Sequence, residues 1–159
     1  MIRTGIGYDS HRFAEGRPLI LGGQRIPHPQ GLIGHSDADA VAHALTDALL
    51  GAAGMGDIGL LFPDTDSRWK DADSIALLRE AVRQLRAGGM EPRQADITLI
   101  TELPRIRPHA AAMAATLAEA VGVPTGAINV KGKTNEGMGW IGRGEGVAVM
   151  AVATVEVIR

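Results

Sequence analysis

The sequence predicts a single α/β domain in which helices pack on one face of a small, mixed β-sheet. Patterns typical of strands and of amphipathic helices alternate along the 159 residues, as they do in helix-covered sheets. The chain contains no internal repeat and no linker-like segment, and its 45% hydrophobic content is ordinary for one globular core. We therefore expect residues 1–159 to form one domain.

The first part of the chain predicts a strand, a hairpin and a helix. Ile2–Tyr8 has the composition of a strand, and Pro18–Leu21 with Gln24–Ile26 predicts a hairpin around two glycines. A helix is expected to begin near Ser36, whose hydroxyl is suited to capping, and to end at Gly54. Its apolar residues recur at helical spacing, so one face should lie in the core.

The middle of the chain begins with a segment rich in glycine and aspartate. Residues 55–72 show no periodicity, which predicts a long polar loop of the kind that often carries function. Asp73 or Ser74 then caps a second helix that ends near Gly88. The alternation of polar and apolar residues in Ala95–Ile100 predicts a strand.

A helix and two strands complete the chain. The third helix follows Pro108 and ends before Pro124. Strands are expected near Ala127–Lys131 and Val147–Val157, on either side of a glycine-rich loop. Because the last strand is long and continuously apolar, we expect it at the centre of the sheet or at a subunit contact.

Composition excludes several functions. The 16 basic and 18 acidic residues are scattered and give a net charge of -2, which does not favour nucleic-acid binding. The chain has no cysteine, so any metal must be held by His, Asp or Glu. The sequence shows no leader-like start and no apolar run long enough to cross a membrane, so we expect a cytoplasmic protein without membrane partners.

Asp9 and His11 lie two residues apart at the end of the first strand. If the strand continues, both side chains point to the same side, roughly 7 Å apart along the chain, which suits two ligands of one ion. His43 lies in the predicted helix, where Asp39 or Asp47 could hold one ring nitrogen while the other faces a metal. One aspartate and two histidines would leave a zinc-like ion with an open position. The alternative is that His43 is a structural residue of the helix.

Two polar segments could bind the substrate. His35, the Ser36 hydroxyl and the free backbone N–H groups at the helix start form a candidate anion site, although Ser36 could also be only a cap. Asp57 and Asp64 in the polar loop could hydrogen-bond the hydroxyls of a polyol or could be solvated turn formers.

A glycine-rich region near the C-terminus suits a diphosphate. Gly132–Gly137 and Gly142–Gly146 place a cation, hydroxyl and amide groups and a carboxylate where a diphosphate and its metal could lie. A P-loop does not match, because Ala127 stands where its first glycine is needed. A dinucleotide fingerprint starting at Gly5 lacks its third glycine. The residues alone thus indicate a metal, a diphosphate and a hydroxylated substrate.

Five motifs occur in one order and at one spacing along the chain. Taken together they resemble the 2-C-methyl-D-erythritol 2,4-cyclodiphosphate synthase family, and the match extends from Arg3 to the last strand. Five motifs in register are far more specific than any one of them. The motifs are Gly7–His11, Gly34–Asp39, Gly56–Gly59, Phe62–Asp66 and Gly142–Gly146.

The resemblance implies an enzyme of isoprenoid precursor synthesis in the non-mevalonate pathway. It would be a homotrimer with each active site between neighbouring subunits. It would convert 4-diphosphocytidyl-2-C-methyl-D-erythritol 2-phosphate into the 2,4-cyclodiphosphate and CMP. Two rivals remain: a zinc-dependent pyrophosphohydrolase that gives an open product, and a trimer that binds metal and an isoprenoid diphosphate without turnover.

The resemblance also implies the metal and catalytic residues. One set of ligands would bind zinc, manganese or cobalt. Another residue would bind a magnesium or manganese ion on the substrate diphosphate. These ligands are Asp9, His11 and His43 for the first ion and Glu136 for the second, and His35 with Thr134 would stabilise the transition state.

The substrate-binding residues implied by the resemblance fall into three groups. One contacts the methylerythritol part and its phosphate, one forms the cytidine pocket, and one lines a cavity on the trimer axis that could hold an isoprenoid diphosphate. The groups are Asp57, Ile58, Gly59 and Asp64; then Leu103, Arg105, Ile106, Gly132 and Lys133; then Trp140 and Arg143; and Ser36, Phe62 and Asp66 are further substrate-binding residues.

The chain departs from the commonest family pattern at three places. Lys133 begins a triplet where three threonines are frequent, Arg105 stands where lysine is frequent, and Trp140 stands where phenylalanine is frequent. Arg105 preserves the charge, and Lys133 adds a cation beside the nucleotide. Thr134 and Glu136 keep their positions, so the predicted catalysis is unaffected.

Overall fold

The computed structural model describes residues 1–158. Within that range no helix is both long enough and apolar enough to span a bilayer. The strands are β1 (Ile2–Ala14), β2 (Leu19–Leu21), β3 (Gln24–Ile26), β4 (Gly31–Leu32), β5 (Met90–Ile100), β6 (Ile128–Lys133) and β7 (Gly146–Val157). The helices are α1 (Ala40–Ala53), α2 (Ile58–Leu61), α3 (Ser74–Ala87), α4 (Arg107–Val121) and α5 (Gly139–Gly142), with 3-10 turns at Ser67–Trp69 and Thr125–Ala127.

Five of the strands form one mixed sheet in the order β4-β1-β7-β5-β6. β1 and β5 both run antiparallel to β7, whereas β5 and β6 are parallel. β7 is therefore the central strand, which confirms the expectation drawn from its continuous apolar sequence. The predicted hairpin is also confirmed, because β2 and β3 pair around two glycines as a separate ribbon.

The first strand is longer than its sequence pattern indicated. β1 pairs with β7 without interruption from Ile2, opposite Glu156, to Arg12, opposite Gly146. The polar residues after Tyr8 do not end the strand, because their backbone groups are still paired with the apolar central strand. Asp9 and His11 therefore lie inside the sheet and point to the same face.

Helix α1 packs directly on the backbone of β1. A methyl group at Gly7 would lie 1.9 Å from the Ala44 carbonyl oxygen, and one at Gly5 would lie 2.1 Å from that of Ala48. Real Cβ contacts are never this short, so the two glycines are required for this close approach. They bring the middle of α1, where His43 lies, against the end of β1 that carries Asp9 and His11.

The helices cover one face of the sheet and leave the other face open. From Gly5 to Phe13 in β1 and from Val149 to Val155 in β7, the residues that face the helices are buried or half-buried, whereas the alternate residues are exposed or half-exposed. We call the surface formed by Ile6, Tyr8, Met150 and Val152 the open face; these side chains are 65%, 53%, 42% and 44% exposed. An apolar surface of this kind is typical of a protein contact.

The start of α1 differs from the prediction. The helix begins at Ala40, and Asp39 rather than Ser36 is its cap, accepting from the Ala42 N–H at 3.0 Å. The same carboxylate accepts from the N–H groups of Gly22 and Gly23 in the hairpin, at 2.9 and 2.7 Å. Burial raises the pKa of Asp39 to about 6, although these three donors act in the opposite direction. Asp39 is thus the residue that joins the hairpin to α1.

The long loop also contains more structure than its composition indicated. Asp57 caps the short helix α2, and Asp66 caps the 3-10 turn that follows. Aspartate side chains that accept from nearby backbone N–H groups stabilise short helical turns even where apolar periodicity is absent. Periodicity alone therefore does not predict these turns. The second long helix follows the prediction, because Asp73 accepts from the Ile75 N–H at 2.9 Å and caps α3.

Candidate active site

Three side chains converge where β1 meets α1. Asp9 and His11 extend from the strand and His43 from the helix, and one ligand atom of each lies within 4.8 Å of the others. The Asp9 Oδ2 atom is 2.8 Å from His11 Nε2 and 3.2 Å from His43 Nδ1. We call these three residues the metal triad. A carboxylate and two imidazoles are a ligand set that suits zinc and similar divalent ions.

The geometry of His11 fits a metal ligand. Its Nδ1 lies 2.7 Å from the Ile33 carbonyl oxygen, which can only accept, so Nδ1 carries the proton of the neutral ring. Nε2 therefore presents a lone pair. It is buried and has no hydrogen-bond partner among the described residues, and the nearby Asp9 Oδ2, at 2.8 Å, is an acceptor as well. A buried lone pair beside a carboxylate oxygen requires a cation or a proton between them.

The pKa shifts of the triad have the same origin. Burial acts to raise the pKa of the Asp9 carboxyl, but the adjacent His11 and His43 prevail and hold this pKa below its ordinary value. Burial likewise acts to lower the pKa of the His11 imidazole, but the Asp9 carboxylate outweighs it and raises this pKa. Without a metal, the triad therefore attracts a proton to the site where a metal would bind.

The apparent zinc affinity of the protein is expected to fall as pH decreases. A proton and a metal compete for His11 Nε2, and the raised pKa of His11 makes the proton competitive above its ordinary value of about 6.5. Below that raised pKa, affinity should fall by about tenfold per pH unit for each proton displaced. Chelator-competition titrations with zinc from about pH 8 to about pH 5.5 measure this. A constant affinity over the range would contradict it.

The residues that hold His43 are not the predicted ones. Asp39 is occupied as the helix cap, and Asp47 accepts from the Ile58 N–H at 2.8 Å. Helical spacing places both on the side of α1 that carries His43, but both carboxylates bind backbone N–H groups instead. His43 Nε2 instead lies 2.8 Å from the Ser74 hydroxyl and 3.1 Å from the Ser36 hydroxyl.

A second group of predicted residues lines one cavity of about 650 Å³. Its walls are the segment between β5 and α4 and the end of β6, so it opens at the carboxyl ends of two parallel strands. A methyl group at Gly132 would lie 2.7 Å from Ile106 Cβ, which explains why glycine is needed in this wall. Six predicted residues line the cavity: Leu103, Arg105, Ile106, Gly132, Lys133 and Thr134.

The loop after β6 is held by a residue that sequence reasoning missed. Glu102 Oε1 accepts from the backbone N–H groups of Asn135 and Gly137, at 2.9 and 3.3 Å. Between them Glu136 adopts a left-handed conformation with φ 54°, which is uncommon for a residue other than glycine. Such conformations persist where surrounding contacts enforce them, and Glu102 provides those contacts to both sides of Glu136.

The metal triad and the cavity lie at the same end of the sheet. Strand register aligns Ser10 with Ala148, Ala148 with Ile100, and Ile100 with Lys133. Ser10 and Lys133 are the outer members of this row and are three strand spacings apart. Roughly 14 Å therefore separates the metal triad from the cavity within one chain.

Comparison with known proteins agrees with this geometry. A model of the YgbB family matches residues 2–156. The chain belongs to the YgbB family. It is 58% identical over 152 residues to the 2-C-methyl-D-erythritol 2,4-cyclodiphosphate synthase of Chromobacterium violaceum, covering 96% of each chain. It is 53% identical over 155 residues to the synthase of Salinibacter ruber, covering 98% of this chain and 99% of that one.

A solved structure supports the same assignment. The CDP-bound form of a 2-C-methyl-D-erythritol 2,4-cyclodiphosphate synthase is 46% identical to this chain, with a TM-score of 0.89. The match covers 97% of this chain and all of that one. The resemblance drawn from the five sequence motifs is therefore confirmed.

The polar loop of this YgbB family member carries several predicted substrate contacts on its surface. Asp57 is exposed and caps α2, so that Ile58 and Gly59 begin that helix. Asp64 is exposed, and Asp66 is half-buried at the following 3-10 turn. Their contacts with a substrate remain predictions.

Two other predicted contacts have buried side chains. Phe62 is 7% exposed and packs in a small cluster with Leu50 and Leu77, and its ring meets that of Trp69 edge-on at 4.9 Å. Ser36 is 6% exposed, with its hydroxyl turned toward His43. The structure therefore shows these side chains in the interior, and their contact with substrate stays a prediction.

The remaining predicted residues of this YgbB family member are exposed. The His35 ring is not at a helix start, because α1 begins five residues later, so the predicted anion site of His35, Ser36 and free helix N–H groups is wrong in that form. Trp140 borders a groove beside His11, and Arg143 donates to Glu145 at 2.6 Å.

Proposed function

We propose that this protein converts 4-diphosphocytidyl-2-C-methyl-D-erythritol 2-phosphate into 2-C-methyl-D-erythritol 2,4-cyclodiphosphate and CMP. One observation carries the proposal. The metal triad lies at the same end of the sheet as a cavity lined by Arg105 and Lys133. Relatives above 50% identity bear the name of this synthase, and one solved relative holds CDP.

The reaction requires alignment more than it requires a protein nucleophile. An oxygen of the substrate's 2-phosphate forms a bond to the β-phosphorus, and the bond from this phosphorus to the bridging oxygen breaks. The electron pair of that bond leaves with CMP. Thr134, which lines the cavity, and His35 donate hydrogen bonds where charge develops, while Arg105 and Lys133 bind the nucleotide phosphates.

Two metal ions complete the proposed site. We assign zinc, or manganese or cobalt, to Asp9, His11 and His43, because a carboxylate with two imidazoles suits these ions. Magnesium or manganese is assigned to Glu136, whose carboxylate is a hard oxygen ligand. When bound, the ions would polarise the phosphoryl oxygens and neutralise developing charge.

We further propose that the protein works as a homotrimer with active sites between subunits. The open face supports this, because Ile6, Tyr8, Met150 and Val152 form an apolar surface on the central strands. Light scattering should then give the mass of three chains. Val152→Glu should shift the mass to that of one chain, whereas Ala115→Glu, which places the same charge on the exposed surface of α4, should not. A monomeric wild-type protein would refute the trimer.

Phosphorus NMR tests the proposed reaction. Purified protein is mixed with the substrate and magnesium before and after metal stripping, and again after zinc is returned. Stoichiometric CMP with a cyclic diphosphate, lost on stripping and restored by zinc, is the expected result. CMP with an open bisphosphate would indicate the pyrophosphohydrolase instead. Binding without any turnover would leave the metal- and isoprenoid-diphosphate-binding trimer.

Replacing Glu102 with alanine is expected to lower kcat between about tenfold and 100-fold, since small misplacements of catalytic groups have effects of this size. The alanine variant loses the acceptor for the Asn135 and Gly137 N–H groups and releases the loop that carries Thr134 and Glu136. Steady-state CMP release at several magnesium concentrations measures the effect, which should include a higher magnesium requirement.

Glu102→Gln is the matched control. Its carbonyl oxygen can still accept from both N–H groups, so its kcat should stay within about threefold of wild type, as expected when a hydrogen-bond acceptor is kept. Equal loss in both variants would show that the charge of Glu102 matters rather than its hold on the loop.

A further inference from the structure

A buried chain of hydrogen bonds extends from the metal triad into the protein. His43 Nε2 lies 2.8 Å from the Ser74 hydroxyl, and that hydroxyl in turn contacts Asp37 Oδ1. Ser74 is 1% exposed and is the first residue of α3, 31 residues from His43 in sequence. The chain therefore joins three separate segments: the loop before α1, the middle of α1 and the start of α3.

The direction of each hydrogen bond follows from counting protons. Asp37 receives the N–H of Asp39 at 3.1 Å and that of Ser74 at 3.2 Å, as a carboxylate acceptor. The Ser74 hydroxyl has one proton, and its close contact with Asp37 Oδ1 places that proton toward the carboxylate. The Ser74 oxygen must then accept from His43, so Nε2 carries the proton of the neutral ring.

This direction leaves His43 with its lone pair on Nδ1, the nitrogen that faces Asp9. The opposite tautomer would donate from Nδ1 to Asp9 Oδ2, 3.2 Å away, but would turn the Nε2 lone pair toward a Ser74 oxygen whose proton is directed at Asp37. With a metal ion between Nδ1 and Asp9, the Nε2–H direction suits both sides of the ring. The Ser36 hydroxyl also lies near Nε2, but it accepts from the Ala38 N–H at 3.2 Å and remains free to donate to Ser74 at 3.3 Å. It is therefore compatible with the same direction.

We propose that Ser74, oriented by Asp37, is a positioning residue that selects the metal-binding tautomer and ring orientation of His43. The inference rests on the proposed metal triad and goes beyond it, since neither Asp37 nor Ser74 is a ligand. His11 has the complementary arrangement, because its Nδ1–H is held by Ile33 and its Nε2 is free. The two rings thus present different nitrogens to one ion, each selected by a different partner.

Ser74→Ala tests the proposal. The variant should bind zinc about 10–100-fold more weakly in chelator-competition titrations, the range typical of lost outer contacts to a metal-ligating histidine. Nitrogen-15 NMR of the zinc-loaded protein reports the Nε2–H of His43 and its exchange with water. Wild type should show a slowly exchanging Nε2–H held by Ser74, and Ser74→Ala should show faster exchange.

Two variants separate positioning from general stability. Ser74→Thr keeps the hydroxyl and should restore zinc affinity toward the wild-type value, whereas Ser67→Ala, on an exposed turn, should change nothing. A Ser74→Ala protein with wild-type zinc affinity and unchanged Nε2–H exchange would overturn the proposal. If wild type failed to bind zinc, the metal triad would be refuted, whereas a wild type that binds zinc without a protected His43 Nε2–H would refute the positioning role independently.

Discussion

Replacing His43 with alanine is expected to lower kcat/KM for CMP release by roughly three orders of magnitude while the fold is retained. The imidazole is one of the three proposed metal ligands, and a bound metal would contribute several kcal/mol to the stabilisation of transition-state charge. Each 1.36 kcal/mol corresponds to about a tenfold change in rate. The ring is at the edge of the core with its side chain 14% exposed, so its removal should leave α1 in place.

Three measurements establish the result: steady-state CMP release, zinc content by elemental analysis and thermal unfolding. His109→Ala is the matched control, because His109 is a half-buried histidine in the first turn of α4 and is not a member of the metal triad. It should retain wild-type turnover and zinc. A folded His43→Ala protein that turns over at the wild-type rate would show that the metal triad is not needed for the reaction.

Gly7→Ala is expected to have the largest effect on stability. Its methyl group would lie 1.9 Å from the Ala44 carbonyl oxygen and 2.7 Å from the Ala48 nitrogen. These are backbone atoms of α1, so the clash cannot be relieved by a side-chain rotation. Overpacking of a core ordinarily costs about 1–3 kcal/mol and occasionally more, and a backbone clash belongs at or above the upper end. Denaturant unfolding measures the loss in free energy of unfolding.

The same substitution should also weaken metal binding, because pushing α1 away from β1 separates His43 from Asp9 and His11. Gly126→Ala is the control, since a methyl group there meets no atom within 4 Å and needs no left-handed backbone. It should unfold within about 0.5 kcal/mol of wild type, as surface substitutions usually do. A Gly7→Ala protein as stable as this control would contradict the close packing of α1 on β1.

The metal triad shows how much of the candidate site the sequence periodicity predicts. Asp9 and His11 were expected on one side of a strand because alternate residues share a face, and this holds in β1. The helix that carries His43 was expected from its apolar spacing and the stop at Gly54, and it ends there. The sequence shows glycines at positions 5 and 7, but their role in helix packing is apparent only when β1 and α1 lie side by side.

The partners of the buried polar groups could not be predicted in this way. Helical spacing offers Asp39 or Asp47 as a partner of His43, yet Asp39 binds the N–H groups of Gly22 and Gly23, which lie 17 and 16 residues away. Ser36 was assigned as the cap of α1, yet Asp39 occupies that position. Local spacing ranks neighbours within one element, whereas a buried carboxylate binds whichever donors the packed segments bring to it.

The family resemblance pointed to the residues around the cavity, whereas local chemistry along the chain was sufficient for the class of fold, most element positions and the candidate metal triad. These depend on backbone periodicity and on which side-chain atoms are present, and both can be read from neighbouring residues. Folding alone brought Ser74 to His43 and Glu102 to the loop around Glu136. Such contacts join residues 31 and 33 positions apart, and their geometry exists only after helices and strands have packed.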